Sequence, residues 1–472
     1  MRYAVVLLLL LAVVPSAAAR QAFVNQDWPV YGYDPGRSND GPGFTSIDAG
    51  NVGSMVEQQV DAGGTIDSSP IYLAGVTVHG ATHDVFFVTT TYGKTDAIDA
   101  DTGDVLWQFV PASYGALAGT AQITNASPAA DPSRTAIYAA SPDGIIRKLR
   151  VADGTVVWAR SITLDATHEK ITSSLNVANG LVYATTGGYI GDAPPYQGHV
   201  VTLSTATGKL THVWNSLCAD RRSLIDPSSC DSSDSAIWSR SGAAIDPQTG
   251  EVVVASGNGP WNGTTDFGDT VAILNPSTLQ LKRYWTPANQ QQLNDEDLDL
   301  GSTSPGFLAD GYAVQGGKDA TLKLLDLTGR GGTTHRSTDI VQTLPLPGGQ
   351  MMFSEPAILN ATKLFVSTAG GTVAYNLVLT RTRTSITGKL VKAWSNTSGG
   401  TSPVLAGGLL YVAGFDGQLH VYQPLTGNQV ATLPTGDLHW QSPIVADGRI
   451  AMPEGDANAH DTDGVLDIFR LS

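Results

Sequence analysis

The stretch Ala97-Ile98-Asp99-Ala100-Asp101-Thr102-Gly103-Asp104-Val105-Leu106-Trp107 decides the fold of this chain. It reads as a strand, a tight Asp-x-x-Thr-Gly turn and a second strand ending in tryptophan. Weaker copies recur at Val151–Trp158, Ser204–Trp214 and Val421–Val430. A strand–turn–strand unit of this size cannot bury its apolar face alone, so it must stack against copies of itself. The chain is therefore expected to be an array of small sheets.

A second marker counts the copies. A small residue before proline opens most units: Ser69-Pro70, Ser127-Pro128, Ser304-Pro305, Ser402-Pro403 and Ser442-Pro443, with Glu355-Pro356 in an equivalent place. Ser173-Ser174-Leu175 and Ser241-Gly242-Ala243 fill the two gaps. These starts fall about 53 residues apart, which is a propeller-blade period. After the first start come Pro70–Val76, Val85–Thr89, Thr95–Ile98 and Val105–Phe109, four strands of one blade. Proline is tolerated because an innermost strand keeps one free edge. In the Asp-x-x-Thr-Gly turn the glycine takes the left-handed position. The tryptophan then lies on the outer strand, placed to fill the gap to the next blade.

The last unit shows only Pro443–Val445, Ile450–Met452 and Val465–Leu471, whereas Val52–Val60 is a strand without a unit. Joining the two closes the ring and removes its open edge. The expectation is an all-β, eight-bladed propeller of four-stranded blades closed by an N-terminal strand. Seven blades is the alternative, should two of the weaker starts be loops.

Composition agrees. Among 472 residues, hydrophobic types make up 42%, charged types only 15%, and there are 52 glycines and 25 prolines. The net charge of −16, from 27 basic and 43 acidic residues, argues against a nucleic-acid partner, which needs a positive footprint. Arg2, the apolar run Val5–Val14 and Ala17-Ala18-Ala19 form an export signal over residues 1–19. The run is short for a bilayer span, with a retained anchor as the alternative. Residues 20–472 are expected to form a single exported, periplasmic or secreted domain with no membrane span. Export makes a disulfide between Cys218 and Cys230 plausible. Asn125, Asn262, Asn360 and Asn396 head glycosylation sequons, relevant only in a glycosylating host.

These repeats resemble those of the pyrroloquinoline quinone (PQQ) propeller family, the quinoprotein alcohol dehydrogenase-like superfamily, over most of the chain from Trp28 onward. Ala97–Trp107 is similar to its tryptophan-docking motif. Three further segments bear on chemistry. Trp238 through Gly257-Asn258-Gly259-Pro260-Trp261-Asn262 is similar to a segment of the dehydrogenases. The resemblance assigns Asn258 as a calcium ligand beside the quinone and Trp238 as the plate stacked on it. Asn294-Asp295-Glu296-Asp297-Leu298-Asp299 takes the place of the run carrying the catalytic base, implying Asp297 or Asp299. Gly316-Gly317-Lys318 resembles the strand whose cation contacts the quinone oxygens, implying Lys318.

PQQ chemistry combines a divalent cation, a carboxylate base, a cation at the reduced oxygens and flat apolar surfaces. The implied activity is oxidation of an alcohol or sugar hydroxyl by a PQQ- and calcium-dependent dehydrogenase. Two departures stand against it: the enzymes' vicinal cysteine pair is missing, and so is a convincing second calcium-binding carboxylate. Bland roles compete at each position. Asn258 in Gly-Asn-Gly suits an ordinary turn, acidic runs are usually solvated, Lys318 beside Asp319 suits a surface pair, and Trp238 suits packing between blades. The alternative function is a non-catalytic binding or scaffold propeller with a protein partner. A sugar-polymer binding or cleaving propeller has no paired-carboxylate signature behind it. Two features outside these motifs remain: His439-Trp440, ahead of the last inner strand and facing the channel, and the oxygen-rich stretch Glu454–Gly464.

Overall fold

The computed structural model describes residues 26–328, 340–383 and 385–471; the expected export signal lies outside them. The chain forms eight antiparallel sheets. Blade 1 is Ile71–Val78, Ala81–Thr89, Thr95–Asp99 and Val105–Phe109. Blade 2 runs over 129–161, blade 3 over 170–215, blade 4 over 244–285, blade 5 over 306–345, blade 6 over 357–396 and blade 7 over 404–434. Blade 8 combines Ile444–Ala446, Arg449–Pro453 and Val465–Arg470 with Val56–Asp61 as its outer strand. Val56 faces Arg470 and Asp61 faces Val465, so the N-terminal strand closes the ring as expected. Among the described residues no helix is long and apolar enough to cross a membrane.

Closure follows from the period-2 alternation of the strands, which sends neighbouring side chains to opposite faces. Ile137 joins Ile71 and Trp107 in the core between blades 1 and 2, and its neighbour Tyr138 joins Val182 and Val201 in the core between blades 2 and 3. The pattern continues around the wheel. It ends in a cluster where Tyr411 of blade 7, Ile450 of blade 8 and Phe86 of blade 1 meet.

Three tryptophans show how one blade docks on the next. Trp107 Nε1 donates to Val151 O at 2.8 Å, Trp158 Nε1 to Thr205 O at 3.2 Å and Trp394 Nε1 to Pro424 O at 2.9 Å. Each ring also covers a glycine of the following blade's turn, Gly154, Gly208 or Gly427, where a Cβ would enter the ring. The turn itself is as read from the sequence: Asp99 Oδ1 accepts from the Asp101 and Thr102 N–H groups, and Gly103 has φ +79°.

The unit starts are also latches. Ser442 N donates to Ser69 Oγ, Ser69 N to Ser127 Oγ and Glu355 N to Ser402 Oγ, each at 2.8 Å. Hydroxyls therefore tie inner strands across blade boundaries, beyond the crowding argument for small residues. The segment from Trp28 to Gly41 adds a plug. It hydrogen-bonds to Tyr72 of blade 1, Ala130 of blade 2, Ile245 of blade 4, Ile358 of blade 6 and Leu405 of blade 7. Arg37, within it, is buried and donates to the carbonyls of Tyr31, Ser174, Leu175 and Ser241.

Candidate functional site

An inner strand begins where its antiparallel neighbour ends, so both termini lie at one end of each blade. At that end a cavity of about 180 Å³ is lined by Lys170, Tyr196, Trp238, Asn258, Asp299, Lys318 and Trp440, among others. Trp238 precedes the inner strand Ala244–Ile245 of blade 4, and Asn258 follows its second strand, Val252–Ala255. Asp299 precedes the inner strand Gly306–Phe307 of blade 5, and Lys318 follows its second strand, Tyr312–Gln315. Four side chains singled out in the sequence thus share one wall.

Lys318 Nζ lies 2.5 Å from Asp299 Oδ2 and 2.9 Å from Asp297 Oδ1. It also sits 5.3 Å from the centre of the Trp238 ring. Asp299 Oδ1 accepts the Asn258 N–H at 2.5 Å. The two candidate acids are now distinct. Asp299 lines the cavity and its side chain is only 5% exposed, whereas that of Asp297 is 63% exposed and holds Lys318 from outside. Burial pushes the Asp299 carboxyl up, against the pull of Lys318 and the Asn258 N–H. Burial also acts to lower Lys318, but Asp299 and Asp297 outweigh it and hold the amine above the ordinary lysine value. Nearby Asp269 is pushed up to about 8, chiefly by burial and then by Asp299.

Beside Trp238 and Trp440 lies an aromatic and charged cluster. Trp238 and Trp440 have ring centres 5.8 Å apart, and Phe353 stacks on Trp440 at 4.7 Å and 5°. His439 also stacks on Trp440, at 3.8 Å. Arg240 lies 5.7 Å from the Trp440 ring and closes on Asp67 at 2.5 Å. Burial raises Asp67, but Arg240 and His439 more than reverse this and bring it down to about 2.

Motif-by-motif reading missed Lys170, Tyr196, Asp67 and Arg240. A register signal was present. Counting back from the residue before each inner strand's proline or its equivalent, Asp67, Arg240, Phe353 and Trp440 occupy one repeat position, and Lys170 and Trp238 share another. Of these, Lys170, Trp238 and Trp440 line the cavity.

The fit to a flat anionic cofactor is chemical: indole faces stand beside two lysines in one cavity. Calcium takes six to eight oxygens, and the donor set falls short of that. The Asn258 amide, Asp192 and Asp299 line the cavity, but both Asp299 oxygens are committed and Asp192 Oδ1 accepts from Tyr196 at 3.2 Å. Among the described residues the one group of three His, Cys, Asp or Glu ligands is Asp67, His439 and Asp456, and Arg240 occupies Asp67. These residues do not make a calcium site as they stand.

Cys218 and Cys230 form the expected disulfide, in the connection from blade 3 to blade 4.

A family model described as outer membrane protein assembly factor BamB matches residues 41–255. The dehydrogenase subunit of the quinone alcohol dehydrogenase of Acetobacter aceti is 24% identical over 302 residues, covering 56% of this chain and 39% of that protein. Its counterpart from Gluconobacter oxydans is 25% identical over 303 residues, covering 53% and 36%. The chain thus spans under two fifths of the length of the curated relatives it matches. The quinohemoprotein alcohol dehydrogenase structure from Comamonas testosteroni superposes with a TM-score of 0.68 at 16% identity, over 96% of this chain and 81% of that one. A europium-containing methanol dehydrogenase gives 0.69 at 15% identity, over 96% and 99%. At such identities the superpositions establish the fold. Repeats, sheets and relatives agree in supporting a likeness to the PQQ-repeat propeller family.

Proposed function

We propose that the axial cavity binds a quinone cofactor of the PQQ type and that the protein is an exported dehydrogenase oxidising an alcohol or sugar hydroxyl. The observation that carries this reading is the convergence of Trp238, Asn258, Asp299 and Lys318 on one cavity wall. The Cys218–Cys230 bridge supports an oxidising compartment.

The quinone, when bound, supplies the acceptor for two electrons and the carbon-bound hydrogen of the substrate. The protein's part is positional and electrostatic. Trp238 offers an aromatic surface for a planar ring, and Trp440 lines the cavity beside it. Asp299 is the base that takes the hydroxyl proton; its burial raises its proton affinity and suits it to that role. The Asn258 N–H fixes its orientation. Lys318 steadies that carboxylate and places positive charge where negative charge develops on the reduced ring.

The test is a titration of purified protein with PQQ, followed by tryptophan quenching and by reduction of an artificial dye with an alcohol or sugar present. Saturable binding and substrate-dependent dye reduction are expected. Absence of binding at tens of micromolar PQQ would sink the reading. A second reading, a non-catalytic propeller that docks a protein partner, draws on the incomplete calcium donor set; it predicts no PQQ binding under the same conditions.

A further inference from the structure

Among the described residues, Lys170 stands apart from the other buried and half-buried cations of this acidic chain. Arg134 pairs with Asp27, Arg147 with Asp143, Lys148 with Asp131 and Lys323 with Asp319, and Arg37 is satisfied by backbone carbonyls. Lys170 opens the two-residue strand Lys170–Ile171, where it pairs with Gly187, and lines the axial cavity. Among the described residues its amine has neither an ion-pair nor a hydrogen-bond partner.

The charged groups around Lys170 are already committed. Arg240 and Asp67 hold each other. Asp67 also takes His439 at 2.8 Å. Asp456 accepts the Asn458 N–H at 2.8 Å and lies 3.4 Å from His439. Asp192 takes the Tyr196 hydroxyl. The adjacent Glu169 is closed on His199 at 2.9 Å. Lys318, which lines the same cavity, is held by two carboxylates. Among the described residues, an anion entering the cavity therefore finds one free cation, Lys170. Burial, followed by the repulsion of Arg240, pulls Lys170 down to about 8, and a carboxylate partner would relieve both effects.

We propose that Lys170 is the docking cation for a carboxylate on the cavity's ligand, so that the cavity selects planar aromatic polycarboxylates over neutral rings of the same size. This rests on the quinone reading of the same site, since PQQ is one such ligand, but it makes a separate demand. A charge-assisted hydrogen bond in a partly desolvated cavity corresponds to roughly tenfold to a hundredfold in affinity.

The experiment is a tryptophan-quenching titration of the full chain and of K170Q and K170R. The probes are PQQ, its trimethyl ester, and trimesate as an unrelated planar tricarboxylate. K170Q is expected to weaken PQQ and trimesate by roughly tenfold or more while leaving the ester unchanged, and K170R to restore most of the loss. Amine labelling of the wild type, read at Lys170 by peptide mass spectrometry, should be blocked by either tricarboxylate and not by the ester; this needs no folded variant. PQQ binding that is equal in wild type and K170Q overturns the inference and leaves the quinone reading intact. Trimesate binding that depends on Lys170, without PQQ binding, does the reverse. Failure of both ligands to bind overturns both, and equal weakening of the ester reduces Lys170 to a packing role.

Discussion

At the scale of single residues, the site turns on which of two neighbouring acids lines the cavity beside Lys318. Asp297 and Asp299 are two residues apart in one acidic run, and nothing in their spacing separates a base from a solvated charge. The fold places the two differently: a short helix, Gln290–Asp295, ends and the chain turns so that Asp299 is carried under Gly257 and into the cavity, while exposed Asp297 pairs with Lys318 from outside. With the quinone bound, D299N is expected to lose about a hundredfold to ten-thousandfold in kcat, the range for removing a positioned base. D297N is expected to stay within about threefold, because an exposed ion pair is worth little. Dye-reduction kinetics at saturating PQQ check both, and equal losses in the two variants would refute the assignment of Asp299. Lys170 was illegible for a different reason. A lysine among polar residues looks like surface, and only the comparison of equivalent positions across repeats puts it on the axis beside Trp238.

At the scale of the element, the Asp-x-x-Thr-Gly…Trp unit was legible almost completely. Its turn needs a left-handed glycine and its strands alternate. The sequence motif left open what the tryptophan touches, because its partner lies in the next repeat. Trp107 covers Gly154 and donates to Val151 O, so one residue supplies apolar burial, a hydrogen bond and the angle between blades. W107A should destabilise the protein by about 3–5 kcal/mol, as for other buried aromatic truncations. W107F, which keeps most of the ring contact and loses the N–H, should cost about 1–2 kcal/mol. Urea melts of the two variants measure the difference. The inner strands were harder to read. Several are two residues long, such as Ala129–Ala130 and Ala244–Ile245, too short for periodicity, and the Ser-Pro marker located them instead.

At the scale of the whole molecule, the closure of the ring by Val56–Asp61 followed from a strand missing at one end and spare at the other. The plug by Trp28–Gly41 did not, because its hydrogen bonds run from irregular backbone to the inner strands of five blades and leave no pattern in side chains. The interior of the wheel also stores protons. Asp96 and Glu355 are both buried, and burial pushes each up to about 7. Asp467 is raised to about 8, first by burial and then by Glu454. Between the ordinary carboxylate value and pH 8 the folded state binds more of these protons than the unfolded chain does. Stability must then fall as pH rises through that window. The net charge of −16 acts with the same sign, since self-repulsion grows as acids ionise. Below about pH 4 the ion-paired acids Asp67, Asp131 and Asp143, whose values are depressed, reverse the slope. Thermal melts should therefore give the highest midpoint near pH 4.5 to 5 and a steady decline toward pH 8, and D96N should flatten that decline. A midpoint that climbs from pH 5 to 8 would mean that these carboxyls are ionised in the folded wheel and find partners other than those described.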